Sequence, residues 1–521
     1  MKKLLLLFTV IALNLNAQIT FNEAIGGPDT DQAISAEATS DGGYIVVGWT
    51  LSYGAGGWDI YLVKVSATGA LEWTRTYGGP GEEVDCYVHQ TFDGGYIISA
   101  RSSSFGAGLA DVYLIKTTST GEAQWTKTIG GNLWDEGHSV IQTPDSGYVH
   151  IGYTTSYGAG SHDCYLIKSN KSGDTEWAKS FGGEGNDNGH LIIPALNDGF
   201  IIIGETSSFG AGANDYYVVK TDLNGNMEWS KTYGGPEDDY GWDIKPTKDS
   251  CYILAGYTES FGAGGSDAYL IKIDVNGNVI WSRTYGNTAE EQVLSVRQTE
   301  DGGFIATGKS EVAGLQNADV YLLKTDVNGV PEWARAFGGS GYDASQSVEQ
   351  TADNGYFISG QTSSLGQGSW DFYLIKTDAE GRTETCNLAD PVVLMSSPAS
   401  ATQTFDPATL VFSGEVTGEP DSEIGSGGAL MTCLTTSFEE IGDAENLNVY
   451  PNPATGILNI NSAFNLSGIE IFDQVGRTII KKQLNKSAIE SLDVSGLNSG
   501  FYFIKCTSEK GVFIRKFEKV D

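Results

Sequence analysis

Seven carboxylates recur at a constant interval of 52 residues: Asp31, Glu83, Asp135, Asp187, Asp239, Glu291 and Asp343. Gathered at one mouth of a channel, like charges would focus potential and attract a cation or a cationic ligand. Calcium is the oxygen-seeking metal such a ring would suit. The same residue type also accepts N–H bonds from its own turn, and a position filled in every repeat often serves the repeat itself. Spacing leaves both roles open. Acids found in single repeats, Glu82, Asp85, Glu136, Glu237, Asp238 and Glu290, are candidates for local function.

Other chemistry is sparse. His89, His138, His150, His162 and His190 fall in the second to fourth repeats and read as unconnected strand or surface residues without metal-ligand spacing. Neither a Gly-x-Ser-x-Gly elbow nor a His-Glu-x-x-His pair occurs, so hydrolases of those kinds are unsupported. The glycine-rich segments at 52–56, 104–108 and 156–160 lead into strands and lack the Lys-Ser/Thr and the helix that hold a phosphate. They read as turns. Among so many acids, two can reach glycosidase separation, which keeps a secreted glycan-active hydrolase as the alternative to a binding module.

A repeat must position these groups. Trp73, Trp125, Trp177, Trp229, Trp281 and Trp333 keep the 52-residue period, and Phe21 stands one period earlier, where FNEAIGG (21–27) aligns with WTRTYGG (73–79). Asp59, Asp111, Asp163, Asp215, Asp267, Asp319 and Asp371 each open an Asp-x-Tyr-[Leu/Val]-x-Lys strand. One period holds four short strands, as in VDCYVHQT (84–91), GYIISARS (95–102), DVYLIKTT (111–118) and AQWTKTIG (123–130). The middle two are almost wholly apolar and the outer two mixed, the pattern of a propeller blade packed on both faces.

The seventh period lacks its fourth strand, because position 385 is Thr where a Trp is due. The strand around Phe21 is therefore expected to complete it. The fold class that follows is all-β: a seven-bladed β-propeller over 18–385, closed by its N-terminal strand, with the acids in the loops entering the innermost strands. The loops EVAGLQNAD (311–319) and SLGQGSWD (364–371) depart from the repeat and mark blades six and seven as candidates for a one-sided site.

Between the third and fourth strands, Asp222, Gly225 and Trp229, with their equivalents Asp274, Gly277, Trp281 and Asp326, Gly329, Trp333, follow Asp-x-x-Gly-x-x-x-Trp. This resembles the tryptophan-docking motif of quinoprotein-type propellers. In physical terms, Asp starts the turn, Gly accepts positive φ and the indole packs between neighbours. The likeness covers the hairpin, and no cofactor-binding signature accompanies it.

The register stops after Gly381. Residues 386–446, rich in Ser, Thr, Ala, Gly and acids, read as a linker with a strand or two, and Cys386 and Cys433 are the best candidates for a disulfide. Cys86, Cys164 and Cys251 read as buried free thiols. From 447 to 521, short alternating runs separated by Gly and Asn turns predict a small β-sandwich. Tyr450, Pro451, Asn452 and Pro453, then Asp473, Gly476 and Arg477, then Gly500 and Tyr502, then Lys516 and Lys519 resemble the type A C-terminal sorting domain of the type IX secretion system. The resemblance implies that the translocon and its sorting machinery read this domain and remove it, leaving the rest at the surface or released.

Residues 1–17 have the basic Lys2 and Lys3, an apolar run and a small Ala17, the layout of a signal peptide. No later stretch approaches the roughly 20 apolar residues that a transmembrane helix needs. A formal charge of −35 excludes a phosphate-binding footprint, and with it a nucleic-acid partner. The expected function is a secreted or cell-surface module that binds an extracellular glycan or protein.

Overall fold

The computed structural model describes residues 19–311, 318–383, 396–398, 402–404, 409–412, 429–432, 447–451, 453–472, 478–498, 500–508 and 511–520. Its regular elements are all strands. The runs Tyr44–Thr50 and Asp59–Val65 are rich in β-branched and aromatic residues and are buried almost throughout, whereas Leu71–Tyr77 mixes exposed and buried positions. Apolar β-formers without alternation suit a strand covered on both faces.

These elements build seven four-stranded antiparallel meanders, numbered here sheets 1 to 7. Their first strands are Asp31–Ala38, Glu83–Gln90, Asp135–Gln142, Asp187–Pro194, Asp239–Pro246, Glu291–Gln298 and Asp343–Gln350. In sheet 7 the fourth strand comes from the other end of the chain. Phe21–Gly26 pairs with Asp371–Thr377, with Phe21 opposite Lys376 and Ile25 opposite Phe372. The first strand of each later sheet packs on the first three strands of the sheet before it, and Asp31–Ala38 packs in the same way on sheet 7. The core is divided among these junctions. Phe21, Ile25, Tyr44, Tyr61, Phe357 and Phe372 fill one of them, with Phe357 stacked on Tyr44 at 3.8 Å.

Marker rings sit on the following sheet's turn. Gly225 has φ 72° and lies under the Trp177 indole, where a Cβ would stand 2.6 Å from the ring. Both the left-handed backbone and the close approach require glycine there.

Four sheets carry a fifth strand from the segment expected as a linker. Ser396–Pro398 pairs with Val279–Tyr285, Thr402–Thr404 with Met227–Gly234, Thr409–Phe412 with Thr175–Gly182, and Ala429–Thr432 with Phe21–Gly26. Such pairing covers backbone donors and acceptors that an edge strand otherwise leaves open. The first compact unit accordingly runs to Leu434. Cys386 and Cys433 lie outside the described residues, as do residues 1–17.

In the second unit, Leu447–Tyr450, Ile457–Phe472, Thr478–Asp493, Gly500–Ser508 and Gly511–Lys519 form one five-stranded antiparallel sheet. A sandwich of two layers was the expectation. The hydrogen-bonded unit is a single sheet whose two 16-residue strands break register between Asn461 and Leu466. Leu458, Ile460, Ile469, Ile471, Ile504 and Phe517 form its core.

Candidate functional site

Each of the seven periodic acids opens the first strand of its sheet and is fully buried. Asp135 shows the pattern: its carboxylate accepts from Gly131 N–H at 2.6 Å, from Ser156 Oγ at 2.7 Å and from the Thr154 hydroxyl. The equivalent backbone donors for the others are Gly27, Gly79, Gly183, Gly235, Asn287 and Gly339. Asp135 N–H donates to the Ala110 carbonyl of the preceding sheet, and Thr155 N–H donates to the Trp134 carbonyl. The acids thus latch each turn and join it to its neighbour. Their carboxylates face the turns, and none of the seven lines the cavities described below. Among the described residues no three His, Cys, Asp or Glu side chains are placed to hold a metal ion.

A second carboxylate lies across a glycine from each latch. Asp371 and Asp31 flank Gly26, and Asp111 and Asp135 flank Gly130. Burial, with the neighbouring acid adding to it, pushes Asp59, Asp111, Asp215 and Asp319 up to about 6 and Asp371 to about 7, against 3.8 for the free side chain. As pH falls through these folded values toward the unfolded one, the folded state takes up protons that the unfolded chain does not. Stability is therefore lowest near pH 8 and rises toward pH 5. His150 opposes this, since burial and Lys168 depress it to about 3, but it is one group against several. The melting temperature is expected to be higher at pH 5 than at pH 8. Asp371→Asn should raise it at pH 8 and narrow the gap, and an unchanged pH response in calorimetry refutes the assignment.

Three residues beyond each latch the ladder breaks. The register shifts between Ala33 and Ser35, Gly189 and Leu191, Gly241 and Asp243, Val293 and Ser295, and Ser345 and Ser347. Wider breaks lie between Val84 and Tyr87 and between Gly137 and Val140. A bulge leaves one residue out of the pairing and re-aims its side chain. Here the unpaired Ile34, His138, His190, Trp242, Leu294 and Gln346 turn toward a cavity of about 360 Å³, and in sheet 2 Tyr87, the first paired residue past the break, does the same. A second cavity of about 270 Å³ shares Ile34, Tyr87, Trp242, Leu294 and Gln346, which line the junction between the two. In sheet 2 the period-matched residue Cys86 is instead buried, its thiol bonded to the Gly48 carbonyl at 3.2 Å, and Asp85 takes φ 56° beside it.

The larger cavity gains Trp49, Tyr257, Lys309 and Gln361 from second strands, all at one position of the repeat, and Tyr342 from a loop. Sequence reasoning missed these two columns, and its account of the histidines needs correction. His138 and His190 are 52 residues apart. Their rings stack with centroids 5.4 Å apart, and His190 stacks on Trp242 at 4.1 Å. A carbonyl only accepts, so His138 Nδ1–H donates to Gly189 O at 3.0 Å, while Nε2 lies 3.7 Å from Glu136. Burial opposes charge on His138, but Glu136 and Asp85 outweigh it and raise its pKa.

Carboxylates at the cavity wall and behind it are engaged. Glu205 pairs with His190 and accepts from Asn188 at 2.6 Å, and Arg101 lies between Asp85 and Glu136 while stacking over Trp134 at 5.1 Å. Burial works against the Glu205 charge, but His190 holds it below the ordinary range. At the other cavity, Asp243 accepts from Val296 N–H at 2.9 Å and Arg297 at 3.0 Å, Lys245 bonds Asp243, and Arg297 continues to Glu349 at 2.6 Å. His162 stacks on Tyr153 at 4.4 Å. Cys164 is buried like Cys86, but Cys251 is only half-buried, which corrects its assignment to the core.

In the C-terminal sheet, Tyr450 ends the first strand half-exposed and Pro451 and Pro453 follow it. Gly500 opens the fourth strand, Tyr502 packs on Phe517 at 5.7 Å, Lys516 pairs with Phe503 in the last strand, and buried Lys519 donates to Val520 O at 2.6 Å. Asn452, Asp473, Gly476 and Arg477 lie outside the described residues.

Comparison with solved structures gives distant likenesses. The extracellular domain of a putative one-component system of B. thetaiotaomicron is 11% identical with a TM-score of 0.38, covering 94% of this chain and 57% of that one. Sqt1 of Chaetomium thermophilum, bound to the N-terminus of ribosomal protein L10, is 9% identical with a TM-score of 0.34, covering 68% and 98%. This chain thus spans little more than half of the first. No curated protein matches. Among the described residues no helix is long and apolar enough to cross a membrane. Residues 448–519 match the family described as secretion system C-terminal sorting domain, and that domain directs the chain through the type IX system to the cell surface or extracellular space.

Proposed function

We propose that residues 18–383 form a closed seven-bladed β-propeller that acts outside the cell as a noncatalytic binding module, led to export by a signal peptide at 1–17. The pairing of Phe21–Gly26 into the last sheet, and the packing of Asp31–Ala38 on that same sheet, support the ring. The first strands of all seven sheets line the cavity, which supports a ligand entering along the ring axis. One observation carries the binding role: within each first strand the latch position is acidic seven times over, while at the break in the ladder the strands present Ile34, Tyr87, His138, His190, Trp242, Leu294 and Gln346 to the cavity. Identity where the fold needs it and variety where the cavity opens is the pattern of a frame presenting a one-sided site.

The full-length protein and a Trp242→Ala/Tyr257→Ala variant, compared on glycan and protein arrays, test this. Wild type is expected to retain one ligand class and the variant to bind it at least about 10-fold more weakly, with an unchanged circular dichroism spectrum. Ligand capture that survives the double substitution overturns the cavity as the site.

A further inference from the structure

The larger cavity, taken as the binding site on the reading above, has a composition that narrows its ligand. Its volume of about 360 Å³ is that of a small-molecule site. Trp49, Tyr87, Trp242, Tyr257 and Tyr342 supply aromatic surface, and Gln292, Gln346 and Gln361 supply neutral amides. Gln292 is fixed by its Nε2–H, which donates to Ser266 Oγ at 3.0 Å.

Two polar atoms in this wall are buried without a hydrogen-bond partner: Trp242 Nε1, a donor, and Gln361 Oε1, an acceptor. Both atoms are closed to solvent with or without a ligand, but the Gln346 and Gln361 side chains line the cavity, and an apolar ligand would strip water from their amides at a cost of about 1–3 kcal/mol each. A cationic ligand would need a free carboxylate, but Asp85 and Glu136 already face Arg101, and Glu205 faces His190. An anionic ligand would depend on Lys309, which already lies 3.5 Å from Glu290 and over the Tyr342 ring at 5.8 Å, or on His138, which already lies 3.7 Å from Glu136 and donates to Gly189 O. What remains is a neutral ligand whose groups both donate and accept, with apolar faces to lie on aromatic rings. Hydroxyls on a carbon ring meet each condition.

We propose that this cavity binds a neutral sugar, held by the aromatic wall and by hydroxyl bonds to the Gln346 and Gln361 amides. The full-length protein is titrated by calorimetry and tryptophan fluorescence with cellotetraose, chitotetraose and mannotetraose. At least one is expected to bind, with a Kd that stays within about twofold between 0.05 and 0.5 M NaCl, because no net charge is used. Gln361→Leu and Gln346→Leu each keep the size of the side chain and remove its amide. Each is expected to weaken binding about 10-fold, and the second variant keeps the test alive if the first fails to fold.

Three outcomes overturn the proposal. A sugar whose binding ignores both substitutions sits elsewhere on the protein. No sugar binding, with a protein or peptide captured on the arrays and lost in the Trp242→Ala/Tyr257→Ala variant, removes the sugar and leaves the cavity reading intact. No capture of any kind removes both.

Discussion

A chain lacking residues 18–27, produced without export beside its full-length counterpart, is expected to lose cooperative unfolding of the repeat unit and to aggregate. The strand Phe21–Gly26 is buried along its whole length and is hydrogen-bonded on both sides, to Asp371–Thr377 and to Ala429–Thr432. Its removal strips the cover from Phe357, Phe372 and Leu374 and opens two rows of backbone groups at once. The loss, over about 5 kcal/mol, is comparable to the whole stability of a domain. Ile25→Asp is the graded version: an unpaired charge at a fully buried position costs about 3–5 kcal/mol. Urea denaturation followed by tryptophan fluorescence reads both, and a wild-type midpoint in the shortened chain would refute the closing role of this strand.

Gly130→Ala should lower stability by more than about 3 kcal/mol, far beyond the usual effect of adding one methyl. The new Cβ would overlap Asp111 Oδ1 and stand 2.8 Å from Asp135 Oδ2. Neither carboxylate can retreat. Asp111 is held by Ala107 N–H at 2.9 Å and Gly108 N–H at 3.1 Å, and Asp135 by Gly131, Thr154 and Ser156. Gly94→Ala is the control, with open space around its missing Cβ and only a φ of 80° to resist the change. It should cost about 1 kcal/mol. Equal losses at the two positions would mean that carboxylate crowding does not set the requirement at Gly130.

Much of the scaffold was legible in the sequence because it is written in residues with few substitutes. Indoles and rings at 52-residue spacing, and Thr385 where a Trp was due, pointed to the N-terminal strand as the partner of the last repeat. The strand expected at 84–91 is observed at Glu83–Gln90. The periodic acids were legible as residues but not in direction. An acid four residues after a turn glycine can point into the turn or into solvent, and only the buried Thr and Ser partners decide it. The bulges were not legible at all, since the ladder breaks at positions where Ile, His, Trp and Gln are equally at home. Their sole trace is variety in a fixed register, and His138 and His190 read as scattered until the break brought their rings together.

The bulges have a consequence for engineering. A side chain left out of the strand ladder can be exchanged without disturbing the bonds that hold the strand. The cavity wall is therefore divisible into panels, one per repeat. Transplanting a 52-residue unit from one position to another would carry its panel with it and leave the latches to reassemble unaided, so new specificities can be assembled by shuffling units rather than by redesigning a core.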